Sequence, residues 1–195
     1  MKYKFAVFID RDGIINEDVG NLSKIEDLKI FPLTIKAVKL LNKHKIPAIV
    51  VTNQPVVARG WVNEQWLNNT HKEIIAKFKR GGAKIDRIYY CPHHPDANLE
   101  KYRVVCKCRK PGIGLLKQAA KDFKIDLKES YIVGDSFRDI EAGIKVGATT
   151  IAVKTGSSNF KDSKPHIKVK GLLEAVKLIL EKEGLSWKRW FWQQE

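Results

Sequence analysis

The chain has 195 residues, 44% of them hydrophobic and 30% charged, and its 36 Lys and Arg against 22 Asp and Glu give a formal net charge of +14. That length and balance suit one globular domain over 1–195 that buries its own core. No run reaches the roughly 18 apolar residues of a membrane span, and Met1-Lys2-Tyr3-Lys4 does not open a secretory signal, so a cytoplasmic protein without a membrane partner is expected.

Phe5-Ala-Val-Phe-Ile9 is a continuous apolar run, the pattern of a strand buried on both faces. Leu33 to His44 sets Leu33, Ala37, Leu40 and Leu41 at helical spacing, and Pro47 leads into a second buried strand over Ala48–Thr52. Asn63 can cap a helix carrying Trp66, Leu67, Ile74 and Phe78, which Gly81-Gly82 stops. Ile85–Tyr90 reads as a third strand, Leu115–Phe123 as a helix and Tyr131–Val133 as a fourth strand. A short helix over Asp139–Lys145 ends near Gly147, ahead of a fifth strand over Thr149–Val153 and a last helix over about Leu172–Glu181. This alternation predicts an α/β fold: a doubly wound, Rossmann-like parallel sheet of about five strands with helices on both faces. Segments 14–30 and 91–111 are long and aperiodic, which in a compact domain marks functional loops. The aromatic tail, about 186–195, carries Trp187, Trp190 and Trp192, and its pattern assigns it no role.

Ligands of open parallel sheets bind beyond the carboxyl ends of the strands. The first strand ends in Asp10-Arg11-Asp12-Gly13, the second in Thr52-Asn53-Gln54 and the fourth in Gly134-Asp135-Ser136, with Asp139 one helical turn on. The segment after the third strand ends in Arg109-Lys110-Pro111. All four would meet on one lip, where Asp10, Asp12 and Asp135 crowd their charges unless a cation sits among them. Hard oxygen ligands of this kind point to Mg²⁺.

Cys91, Cys106 and Cys108 are an odd set packed into one segment beside His93 and His94, which reads as metal ligation rather than as disulfides. Cys91-x-His93 and Cys106-x-Cys108 supply four soft or borderline ligands, with His94 competing for His93. A Cys₃His set has no vacancy, as in a structural zinc site, so the loop at about 91–108 would be pinned by Zn²⁺.

The order Asp-x-Asp-Gly, Thr-Asn, Lys, Gly-Asp-x-x-x-Asp resembles the haloacid dehalogenase superfamily of phosphatases. Asp10-Arg-Asp-Gly-Ile-Ile-Asn-Glu17, Thr52-Asn-Gln54, Ala58-Arg-Gly60, Cys91-Pro-His-His-Pro95 and Cys106-Lys-Cys-Arg-Lys-Pro111 are similar to the heptose bisphosphate phosphatase and histidinol phosphatase branch, over about Phe5 to Gly156. The resemblance implies that Asp10 is the nucleophile, forming an aspartyl phosphate, and that Asp12 is the general acid and base. It implies Mg²⁺ held by Asp10, the Asp12 carbonyl and Asp135, with Asp139 behind them. Thr52, Asn53 and Lys110 would hold the phosphoryl oxygens and Arg109 would reach the substrate. The zinc ligands would be Cys91, His93, Cys106 and Cys108, with His93 favoured over His94 by the same pattern.

The chain departs from the pattern in three places. Pro55-Val56-Val57 replaces the usual Ser-Gly-Ile, Ser136 stands where heptose enzymes often carry lysine, and Ile14 replaces the commoner threonine. The short connections after Gly13 and Thr52 leave no separate cap domain. The expected partner is therefore a small phosphorylated sugar or metabolite, foremost the 7-phosphate of D-glycero-D-manno-heptose 1,7-bisphosphate, with histidinol phosphate as the alternative and the chain a monomer. The basic charge also admits a zinc-stabilised nucleic-acid-binding protein or a polynucleotide 3′-phosphatase. Yet Lys and Arg are spread from Lys2 to Arg189 without a dense block, so nucleic acid is not the expected partner.

Overall fold

The structure, a computed structural model, describes residues 4–187, so the tail beyond Trp187 lies outside the described residues. Its strands are β1 (Val7–Ile9), β2 (Ala48–Asn53), β3 (Arg87–Cys91), β4 (Tyr131–Gly134), β5 (Thr149–Val153) and β6 (Ile167–Val169). They form one parallel sheet in the order β3-β2-β1-β4-β5-β6. The sheet has six strands rather than about five. Strand β6 is only Ile167-Lys-Val169 with Lys168 exposed, too short and polar to announce itself, and it forms by pairing with Ile151–Val153 at the edge. A short edge strand bearing a lysine is a common guard against further pairing.

The helices are α1 (Pro32–Lys43), α2 (Pro55–Ala58), α3 (Glu64–Arg80), α4 (Gly114–Phe123), α5 (Phe137–Lys145) and α6 (Leu172–Lys182). Asn63 caps α3 as expected, its Oδ1 accepting from the Trp66 N–H at 2.8 Å. Helix α2 was not foreseen; it is one turn opened by Pro55, whose fixed φ suits a first helical position. Helix α5 starts two residues earlier than periodicity suggests, because Ser136 caps it and the Asp139 carboxylate accepts from the Ser136 N–H.

Both sheet faces are covered, which is why the strands read as continuous apolar runs. Val7, Ile9, Val50, Val133 and Ile151 pack with α1, α6 and the Ile74 and Phe78 side of α3, while Phe8, Ile49, Val51 and Ile132 pack with α4 and Ala142 of α5. Residues 14–30 bury Ile14, Ile15, Leu22 and Leu28 in the first of these cores rather than forming a separate unit. The chain winds outward through β1, β2 and β3, returns through α4 to β4 beside β1, and winds outward again. The strand order therefore reverses between β1 and β4, and a crevice opens at their carboxyl ends. Asp10 and Asp135 stand there.

Candidate active site and the cysteine-histidine loop

A polar cleft of about 170 Å³ is lined by Asp10, Asp12, Thr52, Asn53, Arg109, Lys110, Asp135 and Ser136, joined by Asp18, Arg138 and Ser157 among others. All four strand-end motifs read from the sequence thus converge. A larger cavity of about 400 Å³ between the starts of α1 and α6 is lined chiefly by apolar groups such as Phe31, Leu33 and Leu172. It gathers no carboxylate set, so the chemistry belongs to the smaller cleft.

Lys110 organises the floor. Its buried ammonium donates to the Val51 carbonyl at 2.6 Å and to Asp139 Oδ1 at 2.5 Å, and pairs with Asp10 Oδ1 at 2.9 Å. Burial alone would lower the pKa of Lys110, but Asp10 and Asp139 more than reverse this and keep it charged. Its backbone is fixed too: Asn53 accepts from the Lys110 N–H at 2.9 Å and donates to the Lys110 carbonyl at 3.0 Å. Asp139 is 1% exposed and does not line the cleft; its second oxygen takes the Ser136 hydroxyl at 2.7 Å. It holds Lys110 and the start of α5 rather than facing a substrate.

Asp10 Oδ1 also accepts from the Arg11 N–H at 2.7 Å. Burial, then the charges of Asp139 and Asp135 against that of Lys110, push the Asp10 carboxyl up to about 7. Asp135 is pushed up to about 6, by burial and Asp139, although the Ser157 N–H donates to it at 2.6 Å. Asp10, Asp135 and Asp139 each bring a carboxylate oxygen within 4.8 Å of the others. Glycines make the approach feasible: a Cβ on Gly13 or Gly156 would stand 2.6 Å or 1.9 Å from Asp135 Oδ2. Carboxylates this close, with the Asp10 and Asp135 pKa values raised by burial and by neighbouring acids, fit a hard divalent cation, whose charge would favour the ionised forms of those two.

Asp12 is held differently. The Arg11 guanidinium, fully buried, donates to it through Nε at 3.0 Å and Nη2 at 2.7 and 2.8 Å, Asn16 at 2.9 Å and Gln54 at 2.8 Å. Burial would raise the Asp12 pKa, but Arg11 and these donors hold it below the usual carboxylate value. Behind Arg11, His71 Nε2 lies 3.5 Å from Nη1; burial, then the Arg11 charge, drive the His71 pKa down to about 3, so it stays neutral. The positioning by Gln54, Asn16, His71 and Ser157 was not read from the sequence. Two signals were there: Gln54 lies two residues from Thr52, hence on the same side of an extended chain, and its amide donates to the Thr52 hydroxyl at 2.9 Å. Ser157 follows the end of β5, where the strand-end rule applies again.

The second cluster stands at the end of β3. Cys91, His93, Cys106 and Cys108 bring their ligand atoms within 4.8 Å of one another. Sulfur to sulfur distances are 3.4 Å for Cys91–Cys106, 3.1 Å for Cys91–Cys108 and 3.0 Å for Cys106–Cys108, and His93 Nδ1 lies 3.4 Å from Cys108 Sγ. A tetrahedral zinc with bonds of about 2.3 Å to sulfur needs sulfurs about 3.8 Å apart, so a modest outward adjustment accommodates the ion. His94 lies outside the set and accepts from the Asp96 N–H at 3.1 Å instead. The His93 carbonyl accepts from Arg109 at 3.2 Å, which ties the cluster to the cleft. Farther out, the Tyr90 and Tyr102 hydroxyls each donate to one oxygen of Glu64 at 2.7 Å and fasten the loop to the start of α3.

An open parallel sheet with carboxylates directly after β1 and β4, and a buried lysine paired with the first of them, suits a hydrolase that works by phosphoryl transfer. Residues 107–177 match the family model described as HAD-hydrolase-like. The chain is 39% identical over 153 residues to the D-glycero-beta-D-manno-heptose-1,7-bisphosphate 7-phosphatase of Photorhabdus laumondii, spanning 77% of this chain and 81% of that protein. To the alpha-anomer 7-phosphatase of the same organism it is 37% identical over 182 residues, covering 91% and 97%. The fold overlays on the D,D-heptose 1,7-bisphosphate phosphatase of B. bronchiseptica, complexed with magnesium and phosphate, with a TM-score of 0.79 and 26% identity, over 92% of this chain and 99% of that one. The chain belongs to the haloacid dehalogenase-like phosphatases, in the branch of the heptose bisphosphate phosphatases. It is a phosphatase. Among the described residues no helix is long and apolar enough to cross a membrane.

Proposed function

We propose that this phosphatase removes the 7-phosphate of D-glycero-D-manno-heptose 1,7-bisphosphate through an aspartyl phosphate on Asp10. The observation that carries the mechanism is the placement of Asp10 and Asp135 at the strand-order reversal, in one cleft with Lys110, Arg109 and Thr52. The names of the relatives supply the substrate.

In the first step an Asp10 oxygen attacks phosphorus in line, and the bond from phosphorus to the C7 oxygen breaks. Asp12 gives its proton to the departing alkoxide. Its many donors favour the anion in the resting cleft, but an incoming phosphate dianion raises its pKa and so supplies the acid form. In the second step Asp12 takes a proton from water, which attacks phosphorus and frees Asp10 and inorganic phosphate. Such acid–base help is worth roughly 10²–10⁴ in rate. Lys110, the Thr52 hydroxyl and the Asn53 backbone hold the phosphoryl oxygens as negative charge spreads over them. Arg109 reaches the rest of the substrate.

Asp10, the Asp12 carbonyl and Asp135 would hold Mg²⁺, with Asp139 behind them anchoring Lys110. Bound there, the ion offsets negative charge on the phosphoryl group and keeps Asp10 ionised. Cys91, His93, Cys106 and Cys108 would hold Zn²⁺ in a closed set that positions Arg109 and activates no water. The test is phosphate release in added Mg²⁺ from both anomers of the heptose bisphosphate, histidinol phosphate and a 3′-phosphorylated oligonucleotide. Fastest release from one heptose anomer is expected; preference for histidinol phosphate or the oligonucleotide would overturn the assignment.

A further inference from the structure

Three cationic side chains line the cleft, and they are not equally occupied. Lys110 is spent on Asp10 and Asp139. Arg109 donates to the His93 carbonyl alone, and Arg138 is exposed with its guanidinium 4.9 Å from the Phe137 ring centroid. Among the described residues neither arginine pairs with a carboxylate. Asp18, the acid on the same rim, accepts from the Gly20 N–H at 2.8 Å. Lys161 stands over the same Phe137 ring at 4.1 Å and adds to the positive field. Arg109 and Arg138 line the one cleft, so their like charges repel across its mouth. An anion between them would relieve that repulsion. Ser136 supplies no such contact, since it is uncharged and its hydroxyl is engaged by Asp139.

We infer that Arg138, together with Arg109, holds a second phosphate of the substrate at the mouth of the cleft while the scissile phosphate sits over Asp10 and Lys110, which makes Arg138 a determinant of bisphosphate specificity. This rests on the bisphosphatase reading above. The Phe137 ring gives the Arg138 guanidinium a cation–π neighbour, and a planar fork suits two phosphate oxygens at once. Arg138 thereby supplies, two residues along α5, the charge that Ser136 lacks.

The experiment compares kcat/KM for wild type, Arg138→Ala and Arg138→Lys on two substrate pairs: heptose 1,7-bisphosphate with heptose 7-phosphate, and fructose 1,6-bisphosphate with fructose 6-phosphate. Arg138→Ala should reduce the bisphosphate to monophosphate ratio of kcat/KM about 10-fold, mainly through KM, and Arg138→Lys should restore part of it. Equal losses on both members of a pair, or an unchanged ratio, overturn the inference while leaving the heptose assignment standing. If the variant loses a preference for fructose 1,6-bisphosphate and heptose 1,7-bisphosphate is the poorer substrate of wild type, the heptose assignment falls and the role of Arg138 stands. Thermal melting confirms that the exposed substitution leaves the fold intact.

Discussion

The cleft and the cysteine-histidine loop both gather ligand atoms within 4.8 Å, yet they are built for opposite ends. The cleft set is oxygen, lies at a strand-order reversal, and shares its space with Lys110, Arg109 and Thr52. The loop set is sulfur and imidazole, with all four donors turned on one another. An open oxygen site leaves room for a reacting phosphate, whereas a closed thiolate site spends its coordination on holding the chain. Proximity of ligands alone thus does not separate chemistry from architecture; donor type and what else faces the site do.

The largest expected effect would break the two apart at the cleft. Asp10→Asn should lower kcat by about 10⁴-fold or more, because no nucleophile remains, while the melting temperature stays level or rises as crowded carboxylates are relieved. Phosphate release and thermal denaturation read both; substantial residual turnover would remove the covalent mechanism. Cys108→Ser tests the other side with the weights exchanged. Zinc content should fall below one per chain, the melting temperature should drop by about 5–10 °C, and activity should fall only about 10-fold as Arg109 loosens. Full zinc occupancy by elemental analysis would count against the ligand set.

The smallest effect sharpens the comparison through pH. The folded-state pKa of His71 lies near 3, below its unfolded value of about 6.5. Between those values the unfolded chain binds the extra proton, so His71 stabilises the fold above about pH 6.5 and that contribution is lost as pH falls toward 3. His71→Gln should flatten the stability profile from urea denaturation across this window, by at most about 1.4 kcal/mol per pH unit. Parallel profiles for wild type and variant would show that the buried imidazole behind Arg11 carries no such linkage.

The parts legible in the sequence are those with a strong local signature. Buried parallel strands print continuous apolar runs, and residues at their ends fall on one lip by topology, so Asp10, Thr52, Asn53 and Asp135 were placed from spacing alone. The cysteine pairs announced their loop for a similar reason. What stayed hidden depends on contacts between distant segments. Nothing local marks Gln54 and Asn16 as the donors that hold Asp12, or shows that Asp139 spends both oxygens on Lys110 and Ser136. Strand β6 escaped because its partner is β5 and its own pattern is three residues long. Asp139 was legible as an acid one turn past Asp135, but the Ser136-x-x-Asp139 spacing also spelled a capping box, and that second reading was missed.

The twin hydroxyl grip of Tyr90 and Tyr102 on Glu64 makes a hinge pin that owes nothing to sulfur. If the cysteine-histidine set holds zinc, removing it would leave that far corner docked, so reloading would resemble a flap swinging shut rather than a polypeptide searching for its shape. Recovery after chelation should then be quick and complete, and its pace set by ion supply.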